Sequence, residues 1–229
     1  MSSFIEEAFG YVFHDKELIR TALTHRSYAN ERGEQGNYER LEFLGDAVLG
    51  LVTSRWLYDR YPEAPEGRLA KRKSFLVSSP VLAEYANRVE LGNEIRLGVG
   101  ESRSGGSAKT SILADAVEAI FGAIYLDGGL SAVREVIEKF LADMLATQPQ
   151  LRYADAKTQL QEVAQARGWG LPSYRIADET GPDHQKRFKV ECLVDGTLCG
   201  MAEGTSKKAA EQAAAAVVLE RLDLPEDAS

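Results

Sequence analysis

Residues 38–49 read YERLEFLGDAVL, and their acids are the first candidates for chemistry. At 100° per residue, Glu39, Glu42 and Asp46 share one narrow helical stripe, with Leu41, Leu44 and Val48 on the other side. Glu42 and Asp46 are the only charges between Leu41 and Ser54, so the rest of that helix is expected to be buried. Burying like-charged carboxylates is costly unless they stay protonated or a cation sits among them. A second stretch, TSILADAVEAIFGAIYL at 110–126, is apolar on nearly every face, and its only charges are Asp115 and Glu118, again at i, i+3. Two such helices facing each other would build an oxygen-rich cage from Glu42, Asp46, Asp115 and Glu118. The competing reading pairs each acid with an arginine such as Arg40 or Arg72, and two matching helices weigh against it. There is no His/Cys cluster to suit zinc; all-oxygen ligation points to Mg2+, with Mn2+ as a substitute.

The elements that must position these acids can be read in order. Residues 4–9 and 15–23 are expected to be short amphipathic helices, the second capped by Asp15. His25 follows, as a ligand or base on one reading and as a structural histidine on the favoured one. Residues 30–37 are polar and contain glycine, and are expected to be a loop. The first acidic helix then runs from Asn37 or Tyr38 to about Tyr61, ended by Pro62 and Pro65. Residues 66–78 are helical and carry Arg68, Lys71, Arg72 and Lys73, a solvated charged face that would also suit a phosphate backbone. Pro80 opens a further helix. Residues 92–107 are read as loop: their glycines fit neither the P-loop nor the dinucleotide fingerprint. After Gly128-Gly129 one more amphipathic helix spans 130–146.

The periodicity stops at Thr147-Gln148-Pro149-Gln150, which places a linker at 147–155 between an all-α domain at 1–146 and a small α+β domain at 156–224. In the second domain a helix at 157–167 precedes strands at 173–177, 187–194 and 198–204, and an alanine-rich helix at 206–222 closes an α-β-β-β-α order. Asp195-Gly196 supplies a hairpin turn. Lys207 and Lys208 sit in the first turn of the last helix, where dipole and free amides favour phosphate. The loop from Gly181 to Lys186 is a short arm with a basic tip.

The 229 residues are 44% hydrophobic and 27% charged, an ordinary globular composition. The first ten residues include Glu6 and Glu7 and lack the layout of a signal peptide, and the longest apolar run is broken by Asp115 and Glu118. A soluble cytoplasmic protein with no membrane partner is expected. Cys192 and Cys199 are then read as two reduced thiols. The net charge of −8 argues against nucleic acid. Residues 155–222 hold nine Lys/Arg against ten Asp/Glu, so any binding there must be geometric, with few phosphate contacts.

These motifs resemble a known family. ERLEFLGDAVL at 39–49 is similar to the signature of the ribonuclease III family, ILADAVEA at 112–119 to its second acidic motif, and LTHRS at 23–27 to its N-terminal element. KTQLQE at 157–162, the Gly181-Pro182-Asp183-His184 loop and SKKAAE at 206–211 resemble the double-stranded RNA-binding domain. The resemblance implies a homodimeric endoribonuclease that cleaves double-stranded RNA, such as precursor rRNA or mRNA, leaving 5′-phosphate and 3′-hydroxyl ends with short 3′ overhangs.

On that resemblance Glu42, Asp46, Asp115 and Glu118 match metal-binding catalytic positions, and Glu39 and Glu66 match further acids of the cleavage centre. Phe43 matches an aromatic residue packed across the dimer interface; on the helical wheel it lies near the carboxylate stripe, away from Leu41 and Leu44. A-form RNA hides its major groove, so the binding domain should span minor grooves and the phosphates between them. Thr158, Gln161 and Glu162 are expected in one minor groove, Pro182 and His184 in the next, and Lys186, Lys207 and Lys208 on phosphates. Two alternatives are a non-cleaving RNA-binding relative, which would have lost its acids, and a phosphoesterase on another phosphate, which the appended domain disfavours.

Overall fold

The computed structural model describes residues 2–34, 36–147, 156–182 and 186–222. The chain divides into two compact units, Met1–Ala146 and Thr147–Ser229. Most of the expected linker, residues 148–155, lies outside the described residues, as do 223 and 224 at the end of the second expected domain.

In the first unit α1 (Ser2–Phe9), α2 (Lys16–Ala22) and α3 (Arg26–Arg32) lead into the long α4 (Glu39–Arg60). Asp15 caps α2 by accepting from the Glu17 amide. Helix α3 takes residues 30–32 out of the stretch read as loop. Its start is fixed by His25, whose Nδ1 accepts from the Ser27 amide at 3.2 Å, and its end by Gly33 at φ 66°. Helices α5 (Glu66–Leu76) and α6 (Ser79–Arg88) follow. The stretch 92–107 also differs from the loop expected: it contains α7 (Val99–Arg103), and 3-10 turns lie at Leu91–Asn93 and Gly106–Ala108. The partners that hold α7 are distant in sequence and so invisible to local pattern. Glu31 of α3 accepts from the Val99 amide at 2.8 Å, and Ser27 Oγ accepts from the Gly98 amide at 2.9 Å.

Helix α8 (Thr110–Thr147) covers both remaining helical stretches, with a kink at Gly129, φ 75° and ψ −175°. It has the length and composition to cross a bilayer, yet half of its apolar window is buried within the unit. Phe121 and Phe140 of α8 are fully buried and meet Phe9 and Tyr85 edge-on or tilted, with centroids 5.0–6.1 Å apart. Just before the kink, Asp127 ties the N-terminal segment to α8. It accepts from Tyr11 Oη at 2.7 Å and from the amides of His14 and Asp15 at 2.8 and 2.9 Å. Burial opposes its charge, but these donors outweigh burial and hold the carboxyl down at about 2.

Helices α4 and α8 touch backbone to backbone. A Cβ on Gly45 would lie 1.8 Å from the Glu118 carbonyl oxygen, and one on Gly122 would lie 2.2 Å from that of Leu41. Helix α4 is otherwise less buried than its lack of charge suggests. Leu41, Val48, Leu49, Val52 and Leu57 face the core, but Phe43 is 81% exposed, Leu51 59% and Tyr58 69%. These three lie at i, i+8 and i+15, one apolar stripe turned to solvent.

In the second unit α9 (Ala156–Ala166) precedes a three-stranded antiparallel sheet, order β1 (Ser173–Thr180), β2 (Arg187–Val194), β3 (Thr197–Gly204), and α10 (Lys207–Leu222) closes it. Inward Phe188, Val190 and Cys192 of β2 meet Leu160 of α9 and Ala214, Ala215 and Val218 of α10. Asp195 and Gly196 form the β2–β3 turn, both at positive φ (51° and 77°). Cys192 and Cys199 are free thiols, and the cross-strand partner of Cys192 is Gly200.

Replacing Gly122 by alanine should therefore drive α8 against Leu41. We expect a stability loss of about 3 kcal/mol or more in chemical denaturation; a variant as stable as wild type would refute the close helix contact.

Candidate active site

The contact at Gly45 and Gly122 decides where the acids go. Glu42 and Asp46 flank Gly45 on α4, and Asp115 and Glu118 lie two turns and one turn ahead of Gly122 on α8. Carboxylate oxygens of Glu42, Asp115 and Glu118 come within 4.8 Å of one another, each residue half-buried. Asp46 is exposed and stands outside that trio, at its edge, yet its charge acts on both Glu118 and Glu42. Among the described residues, none of these four acids is in an ion pair. Arg72, one suggested partner, instead stacks on the Tyr61 ring at 3.9 Å.

The electrostatics record this crowding. Burial, then the charges of Asp46, Asp115 and Glu42, push the Glu118 carboxyl up to about 8. Burial and then Asp115 and Glu39 raise Glu42, and burial raises Asp115. Like-charged acids held together without a cation retain protons. The donor set is oxygen only, half-buried and unpaired, which fits a hard divalent cation.

A cavity of about 360 Å³ opens beside Glu42 and Asp115, with Arg26, Tyr38, Glu39 and Lys109 in its wall. Arg26 lies 3.5 Å from Glu39, and Tyr38, 2% exposed, lines the same cavity as Asp115. Neither Arg26 nor Tyr38 was singled out as a site residue from the sequence; the signal available was that both sit within or beside the quoted motifs. Asn37 accepts from the Glu39 amide at 2.9 Å and so starts α4. His25 also lines this cavity, but its Nδ1 is occupied by Ser27 and burial lowers its pKa, so it acts as a cap. Glu66 is exposed in the first turn of α5 and belongs neither to the trio nor to the cavity wall.

In the second unit Thr158, Gln161 and Glu162 are exposed along α9, opposite Leu160 and Ala164. Lys207 and Lys208 are exposed at the start of α10, where Ser206 Oγ accepts from the Ala209 amide at 3.1 Å. Lys186 is held by Glu179 at 2.7 Å. Pro182 is exposed after Gly181 at φ 91°, and His184 lies outside the described residues.

A helical unit with clustered acids, followed by an α-β-β-β-α unit with an exposed polar helix face, defines a nuclease joined to a duplex-RNA-binding module. Residues 15–145 match the family model described as Ribonuclease-III-like, and 156–222 match the double-stranded RNA binding motif. The chain belongs to the ribonuclease III family and is an endoribonuclease of double-stranded RNA. A protein called Ribonuclease 3 from Caldanaerobacter subterraneus subsp. tengcongensis is 44% identical over 98% of this chain and 99% of its own length. One of the same name from Streptomyces coelicolor is 48% identical over 92% and 76%. The solved nuclease domain of ribonuclease III from Campylobacter jejuni covers 62% of this chain and 97% of that one, with 39% identity and a TM-score of 0.59.

Glu118 binds its proton more readily folded than unfolded, so in metal-free protein its contribution is least unfavourable below about pH 4.5 and worsens as pH rises toward about 8. The stability advantage of Glu118→Gln over wild type should therefore grow across that window in chelator and shrink on adding magnesium. A pH-independent difference would contradict the crowding.

Proposed function

We propose that the chain hydrolyses phosphodiester bonds in double-stranded RNA with Mg2+ or Mn2+ held by Glu42, Asp46, Asp115 and Glu118, directly or through water. The single observation that carries this reading is the trio of half-buried carboxylates with oxygens within 4.8 Å and, among the described residues, no ion-pair partner. A bound divalent ion would supply a more acidic water and neutralise charge developing on phosphorus. The protein's part is to hold four acids ready, with Tyr38 beside Asp115 in the cavity wall and Arg26 restraining Glu39 at the rim. Glu39 and Glu66 are further acids of the cleavage centre on this reading, Glu39 at the cavity and Glu66 away from it. The products carry 5′-phosphate and 3′-hydroxyl ends with short 3′ overhangs.

The active form is a homodimer through the nuclease unit. Support comes from Phe43, Leu51 and Tyr58, an apolar stripe too exposed for a solitary chain, and from the Campylobacter jejuni structure, whose nuclease domain is described as having a region involved in dimer formation. RNA is held by Thr158, Gln161, Glu162 and Pro182 in minor grooves and by Lys186, Lys207 and Lys208 on phosphates. The domains are taken as 1–146 and 156–224 about a linker, and the setting as the cytoplasm, where precursor rRNA and mRNA are the substrates.

Glu118→Gln should bind a long duplex as wild type does and lose magnesium-dependent cleavage; an active variant would remove the metal role. The double change Lys207→Ala, Lys208→Ala should weaken filter binding by about tenfold while the saturated rate stays within about twofold. Unchanged affinity would overturn the phosphate assignment.

A further inference from the structure

The basic run of α5 contains one side chain that the reading above leaves unused. Arg72 is stacked on Tyr61, and Lys71 points to solvent. Lys73 instead lies across α4: its Nζ and Cε are 3.5 and 3.7 Å from the place a Cβ would take on Gly50. Gly50 follows Asp46 by four residues and Glu42 by eight, so it continues the carboxylate stripe. The ammonium thus stands about 6 Å along the helix axis beyond Asp46, at the open end of the site. Among the described residues the Lys73 side chain makes no ion pair and no hydrogen bond. The other two cations beside these acids are engaged, Arg26 with Glu39 at 3.5 Å and Lys109 with Glu101 at 2.5 Å.

A half-buried ammonium without a counter-ion, aligned with a row of acids that a divalent cation would occupy, is placed for an incoming anion. We propose that Lys73 is a substrate-positioning residue that binds a backbone phosphate flanking the scissile one and so sets the strand against the carboxylate trio. The proposal rests on the metal-dependent cleavage reading. The lone glycine at 50 leaves the ammonium uncovered and lets a phosphate approach it from the α4 face.

The test uses the full chain with a defined duplex in magnesium. Lys73→Met keeps most of the apolar stem and removes the charge, whereas Lys73→Arg keeps it. Lys73→Met should lower kcat/KM about tenfold, with melting temperature within a few degrees of wild type. The slope of log kcat/KM against log salt should become shallower by about one unit, and Lys73→Arg should recover activity to within about threefold. A purely structural lysine would lower the melting temperature and leave the salt slope alone, and that result overturns the proposal. A second arm needs no protein variant: neutral methylphosphonate linkages are placed one at a time beside the scissile bond. Wild type should lose about tenfold at one flanking linkage; indifference at all of them overturns the proposal. Glu118→Gln, run alongside, separates the failures. If it cleaves, the metal reading falls; if it is dead while Lys73→Met is unaffected, only the assignment of Lys73 falls.

Discussion

The nuclease unit depends on how closely α4 and α8 approach. Packed helices usually keep axes 8–10 Å apart because side chains separate them. Here Gly45 lies under the Glu118 carbonyl and Gly122 under that of Leu41, so the backbones meet. The acids bracketing those glycines are then forced into one small volume. Glu118 near pKa 8 is the electrostatic cost of that geometry, and a cation relieves it. The same contact leaves the far side of α4 without a partner inside the unit, which is why Phe43, Leu51 and Tyr58 stay bare.

Much of this was legible in the sequence because like charges on an apolar helix are hard to explain without a cation. Glu42, Asp115 and Glu118 converge as their i, i+3 spacing on two apolar helices suggests. The edge position of Asp46 was not legible, since a helical wheel gives direction around an axis and not depth below a surface. Nor was α7, whose amide partners come from Ser27 and Glu31, about seventy residues earlier. Absence of charge was read as burial along α4, although an apolar face can equally be reserved for another chain. The second unit was easier: period-two alternation in β2 and the Asp-Gly turn are local signals, and the sheet follows them.

The RNA-binding unit shows how an almost neutral module can still meet a polyanion. Three of its nine cations at 155–222 are held in ion pairs within the unit. Lys157 is tied to Glu211 and lies over Tyr174, Arg175 is tied to Glu191, and Lys186 to Glu179. Lys207 and Lys208 remain exposed at a helix N-terminus, where the backbone adds its own partial positive charge. Recognition by such a surface leans on the spacing of helix and loop more than on net charge, which suits a ligand read by shape.

Asp127 has a consequence for the order in which the chain assembles. Its partners Tyr11, His14 and Asp15 precede it by 112 to 116 residues. At roughly 5–20 residues per second of synthesis, the first two helices wait about 6–23 s after translation of their own residues before that carboxylate exists to receive them. The N-terminal segment therefore cannot be locked early. It is among the first parts made and the last secured, so completion of α8 is the event that closes the nuclease unit during biosynthesis.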